Sequence, residues 1–134
     1  MEKGKFGSKW VFIMGILIVI LGIIHNGATP LISSDLDILP KNVMLVMIFM
    51  FVGTGTAIIF AGLLTIYCSF GLKKSERMAW VIAMGVGVFI GLLGIGAVIT
   101  MPNNPFAYIM SAFSILVIIP LLIHRKQFKK DLKI

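Results

Sequence analysis

Charge is what this sequence has least of. Of its 134 residues 13% are charged and 59% hydrophobic, with a mean hydropathy of +1.07. Soluble chains carry about 45–50% apolar and about 25% charged residues, so a soluble globule is excluded. A disordered chain needs low hydrophobicity and is excluded with it. Cysteine is nearly missing: Cys68 stands alone, which rules out a disulfide, a CxxC pair or a cysteine metal cluster. Acids are scarce as well, and none of the 5 Asp and Glu residues falls inside a long apolar run. Ion-coupled transporters and proton pumps usually place ionisable groups within their spans. The small multidrug transporters share this size and span count but carry a glutamate in their first span, where this chain has no acid.

What is present is four apolar runs without Asp, Glu, Lys or Arg, at residues 10–26, 43–70, 78–100 and 105–123. A bilayer core of about 30 Å takes about 20 helical residues. Hydrocarbon leaves backbone groups no partner outside a helix or a closed barrel, and barrel strands read as alternating segments of about ten residues. The runs are uninterrupted, so the expectation is an all-α four-helix membrane bundle forming one domain over residues 1–134, with a basic tail at 124–134. The first run is short and follows Lys3, Lys5 and Lys9, as in a signal peptide. The stretch after it lacks the small residues that cleavage prefers, so it reads as a retained anchor.

The net charge of +7 is lopsided. Lys3, Lys5, Lys9, Lys73, Lys74, Arg77, Arg125, Lys126, Lys129, Lys130 and Lys133 fall on one side of such a bundle, and Lys41 alone on the other. The positive-inside rule then puts both termini in the cytoplasm of a cell-membrane protein. Trp10, Tyr67 and Trp80 sit at the basic ends of their spans, as an interfacial aromatic belt requires. Basic loops account for the charge without nucleic acid. Arg125, Lys126, Lys129, Lys130 and Lys133 are expected to contact anionic headgroups, with the tail continuing the last helix and showing Phe128 and Leu132 on one face.

Punctuation predicts the helix limits. Asn26-Gly27 and Gly71 suit left-handed C-terminal residues, and Ser75 with Glu76 suits a helix start. Asn104-Pro105 puts a capping side chain before an N-terminal proline. Residues 34–40 read as one capped turn. Pro120 lies inside the last span and frees the carbonyl of Leu116. Small residues four apart predict close packing: Ala79, Ala83, Gly87 and Gly91 in the third span, Gly53, Ala57 and Ala61 in the second. Gly15 and Gly22 stand seven apart in the first.

One place offers chemistry. His25 ends the first span beside Asn26 and Thr29, with Asp35 and Asp37 in the following loop, and a histidine near a carboxylate serves as base, relay or ligand. His124 belongs to the opposite membrane face, so the pair cannot jointly hold a haem. Met44, Met47, Met50, Met101 and Met110 share the His25 half of the membrane, where thioethers with imidazole would suit Cu(I). Methionine is also a common gap-filler, and no metal or cofactor is expected.

Four spans with a histidine closing the first, over Leu21-Gly22-Ile23-Ile24-His25-Asn26-Gly27-Ala28-Thr29-Pro30, resemble the small bacterial membrane proteins described as DoxX-like. The resemblance implies the four-span fold and assigns no residue a role. The leading expectation is a non-catalytic accessory or interaction protein, as a homo-oligomer or with another membrane protein. The alternative is a ligand-binding or redox protein, or an enzyme, using His25 with Asp35 or Asp37 at the outer interface. A cavity converging on His25 would separate the two.

Overall fold

A computed structural model describes residues 3–128, with side chains from Gly7 onward. The elements are α1 (Lys3–Gly27), α2 (Thr29–Asp35), α3 (Lys41–Lys73), α4 (Arg77–Thr100), α5 (Pro105–Ile123) and a 3-10 turn at Arg125–Phe128. Among the described residues there is no strand. Four stretches, Gly7–Asp35, Lys41–Lys73, Arg77–Thr100 and Pro105–Ile123, are long and apolar enough to cross a membrane. The fold is all-α and of membrane type. Helices outrun the charge-free runs because lysine ends a hydrocarbon crossing without ending a helix: its propensity is good and its stem snorkels. The 33 residues of α3 rise about 50 Å, well beyond a hydrocarbon core of about 30 Å.

Buried positions recur at alternating steps of three and four. Such rows are Val11, Met14, Ile18 and Leu21 on α1, Ile58, Ala61, Thr65, Cys68 and Leu72 on α3, and Ala107, Met110, Ser114, Val117 and Leu121 on α5, with Gly15, Gly22, Gly55, Gly62 and Ser69 buried beside them. That average of 3.5 is the period of left-handed knobs-into-holes packing. The start of α1, the 3-10 turn and the α3–α4 turn lie at one end, here the terminal end. There a Cβ on Gly7 would stand 3.0 Å from the ring of His124, and Ser8 donates from Oγ to the Ser69 carbonyl at 2.7 Å. Residues 28–40 and 101–104 close the other, the loop end.

The tightest contact joins α1 to α3 through two glycine pairs. A Cβ on Gly15 would stand 3.0 Å from the Gly62 carbonyl oxygen, and one on Gly62 would stand 2.9 Å from that of Gly15. Gly22 meets the Gly55 carbonyl oxygen at 2.9 Å, while a Cβ on Gly55 would meet the side chains of Asn26 and His25. Both pairs are seven residues apart, so they fall on one antiparallel seam with Ser8 opposite Ser69. Gly53 does not belong to it. It is exposed with nothing within 4 Å of its would-be Cβ, because two positions turn a helix by about 200° and carry Gly53 away from Gly55. Ala57 is half-buried and Ala61 buried.

The α4 stripe is internal. Ala79, Ala83 and Gly87 are buried and Gly91 half-buried, and the two glycines meet α5 directly: Gly87 faces Ile118, Gly91 faces Ser114, and Ser114 donates from Oγ to the Gly87 carbonyl at 2.8 Å. Gly94 extends the stripe and is the one that meets α5 backbone, its would-be Cβ 2.7 Å from the Ser111 amide nitrogen.

Three turn expectations are corrected. No glycine among the described residues has positive φ. The ladder passes Gly27 almost unbroken, the Ala28 amide still bonding Ile24 and His25 carbonyls, and Pro30 then opens α2. Residues 34–40 are therefore the end of a helix and its exit, not a separate capped turn. Gly71 is interior to α3, and the left-handed residue is Ser75 at φ 61°. Ser75 donates to Leu72 and Glu76 to Gly71, the paired bonds of a Schellman ending. Gly71 is needed for approach instead: a Cβ there would stand 2.6 Å from that of Ala79. Glu76 precedes α4 without a side-chain cap.

Two expectations on α5 hold. Asn104 caps it by accepting from the Phe106 amide at 3.0 Å. Pro120 stays within the helix, and the Leu116 carbonyl it frees accepts the Trp10 indole N–H at 2.9 Å. Trp80 donates likewise to the Leu121 carbonyl at 2.9 Å. The chain after Ile123 is a 3-10 turn rather than more α-helix, and it tucks Phe128 into the core, stacked on Trp80 at 6.3 Å. Phe128 thus faces the bundle and not lipid. Arg125 and Lys126 are exposed; Lys129, Lys130, Leu132 and Lys133 lie outside the described residues.

Candidate functional site: a cavity at the loop end

Four segments meet at the loop end around a cavity of about 340 Å³. The end of α1 supplies His25, α2 supplies Ile32, α3 supplies Met47 and Phe51, and the chain entering α5 supplies Met101, Asn104 and Phe106. Local chemistry fixes each wall. Thr29 donates from Oγ1 to the Asn26 carbonyl at 2.6 Å, tying α2 to the end of α1. The Asn104 cap and a bond from the Tyr108 hydroxyl to the Pro102 carbonyl at 2.9 Å hold residues 101–104 in place.

His25 stacks on Phe51, ring centroids 3.9 Å apart and planes inclined by 20°. Stacking sets the ring orientation. Nε2 is buried and has none among the described residues, nor has Oδ1 of Asn26. The Asn26 amide nitrogen reaches Thr56 Oγ1 at a long 3.4 Å, and that hydroxyl is already donating to the Val52 carbonyl. An unpartnered buried polar atom costs about 1–3 kcal/mol. His25 lines an apolar cavity with its Nε2 unpartnered among the described residues, a site that can take a hydrogen-bonding guest, whereas the Asn26 side chain packs on Gly55.

The acids are elsewhere. Asp35 and Asp37 are exposed, line no part of this cavity and make no ion pair among the described residues. α2 turns Ile32 and Leu36 inward, and the positions between and beyond them point to the outside. His25, Asn26 and Thr29 are therefore together, without a carboxylate. Of the five methionines in this half, Met47 and Met101 share the cavity with His25. Met110 is buried in the core, and no cluster of three His, Cys, Asp or Glu occurs among the described residues. Sequence reading did not find Ile32, Phe51, Asn104 or Phe106 as lining. Only Asn104 carried a signal, as a cap, which fixes the loop that forms one wall. Compared with known protein families, curated proteins and solved structures, the chain matches none.

Proposed function

We propose that this is a multi-pass cell-membrane protein, both termini cytoplasmic, that binds a small, mostly apolar molecule in the His25 cavity on the outer side. The observation that carries the reading is the cavity itself: its volume is within the range of about 300–1,000 Å³ typical of small-molecule sites, and its walls are apolar apart from His25 and Asn104. Apolar walls supply affinity and a few polar groups supply orientation. The guest therefore has an apolar body and one hydrogen-bonding group for the His25 imidazole. With Asp35 and Asp37 outside the cavity, binding rather than acid–base catalysis is the chemistry this arrangement supports. The orientation rests on the Lys/Arg asymmetry between the two ends.

Two measurements test the reading. Small molecules extracted from the purified protein are compared by mass spectrometry with those from Ile32→Trp, which fills the cavity, and His25→Phe, which keeps the stack on Phe51 but removes the nitrogens. A compound present in wild type and lost from both variants is expected. Identical extracts from all three, with the variants folded, would end the proposal. In a Cys68→Ala background, cysteines at Ser34 and Ser75 should label from opposite sides, Ser34 from outside the cell.

A further inference from the structure

At the terminal end a second cavity, of about 330 Å³, opens between α1 and α3. Its apolar walls are Phe12, Ile13 and Phe70, and the rings of Phe12 and Phe70 meet edge to face at 5.9 Å and 71°. Its polar lining is unequal in availability. Ser8 and Ser69 are buried and satisfied, Ser8 donating to the Ser69 carbonyl and Ser69 to that of Ile66. Lys9 and Lys73 are exposed, on different helices, and neither makes an ion pair among the described residues. No acid lines the cavity; the nearest in sequence, Glu76, is 4.0 Å from Lys74 instead.

An apolar slot with two cations and no anion is complementary to one kind of occupant that a bilayer supplies. We infer that the groove between α1 and α3 holds one anionic phospholipid, with an acyl chain against Phe12, Ile13 and Phe70 and the phosphate between Lys9 and Lys73. The groove lies where α1 and α3 leave their glycine seam, at the level where both helices change from apolar to basic residues. An acyl chain and a headgroup divide at that same level. Two ammonium groups favour a headgroup of net negative charge over a zwitterionic one, because the choline or ethanolamine cation would face like charge. The site is independent of the His25 cavity, which is at the opposite end of the bundle.

The test uses the full protein in mild detergent with phosphatidylglycerol or phosphatidylcholine added, reading bound lipid by native mass spectrometry and the thermal midpoint in parallel. Wild type should retain phosphatidylglycerol and gain stability from it, and phosphatidylcholine should do neither to the same extent. A basic residue near an anionic surface contributes about fivefold, so Lys9→Gln with Lys73→Gln should weaken retention about twenty-five-fold. Ile13→Trp, which fills the slot and leaves both lysines, should weaken it as well. Arg125→Gln with Lys126→Gln removes the same charge at the same end, outside the groove, and should change little. Equal losses in the two double variants would reduce the effect to general surface charge and overturn the site. So would stabilisation by inorganic phosphate alone that Ile13→Trp leaves untouched.

Discussion

Away from the close approach of Gly71 to Ala79, the α1–α3 and α3–α4 contacts are made from similar residues to opposite effect. Between α1 and α3, Gly15 and Gly22 meet Gly62 and Gly55, and backbone lies against backbone. Between α3 and α4, Ala57, Ala61 and Gly85 line a crevice of about 360 Å³, flanked by Phe60 and Phe89. Gly85 has nothing within 4 Å of its would-be Cβ. Small residues bring helices together only where both partners present them at the same level. A small residue opposite a phenylalanine makes a gap.

The comparison can be broken from its strong side. Gly62→Leu places side-chain atoms against the Val19 amide nitrogen and the Gly15 carbonyl, neither of which can rotate away. We expect a loss of about 3 kcal/mol, the upper end for overpacking, measured as unfolding in mixed detergent micelles. Wild-type stability in that variant would mean the seam does not hold the bundle.

The α4–α5 contact sharpens the distinction between backbone and side-chain neighbours. Gly94 meets the Ser111 backbone, whereas Gly87 meets the Ile118 side chain. Gly94→Leu should cost about 2 kcal/mol and Gly87→Leu about 1 kcal/mol in the same assay. The reverse order would make side-chain crowding, not backbone approach, the controlling quantity.

The smallest effect belongs to the open side. Gly85→Leu should stay within about 0.5 kcal/mol of wild type, as for a substitution touching nothing, and leucine is favourable at that depth. Destabilisation there would show that a further partner occupies the crevice, and crosslinking would identify a second copy.

Much of this architecture was legible in the residues. Four spans followed from missing charge, since hydrocarbon tolerates no alternative. The Asn104 cap and the carbonyl freed by Pro120 followed from local chemistry that needs no tertiary information. Gly53 was misplaced because a four-residue repeat within one helix does not say which face meets a neighbour. The information is in the agreement between two helices, Gly15 and Gly22 against Gly55 and Gly62. The site divides in the same way. His25, Asn26 and Thr29 are adjacent in sequence and stay adjacent in space, whereas the bearing of Asp35 and Asp37 depends on how α2 turns, which is decided by the burial of Ile32 and Leu36.

The two tryptophans have a mechanical meaning in this fold. Trp10 on α1 and Trp80 on α4 grip carbonyls five residues apart on α5, one on each side of the proline that loosened it. Three helices are thereby tied together over about one and a half turns of α5. A bilayer that thickens or thins cannot tilt α5 alone there; it must carry α1 and α4 along. The bundle is pinned at its basic end, and the His25 cavity lies at the other, beyond the reach of these two bonds.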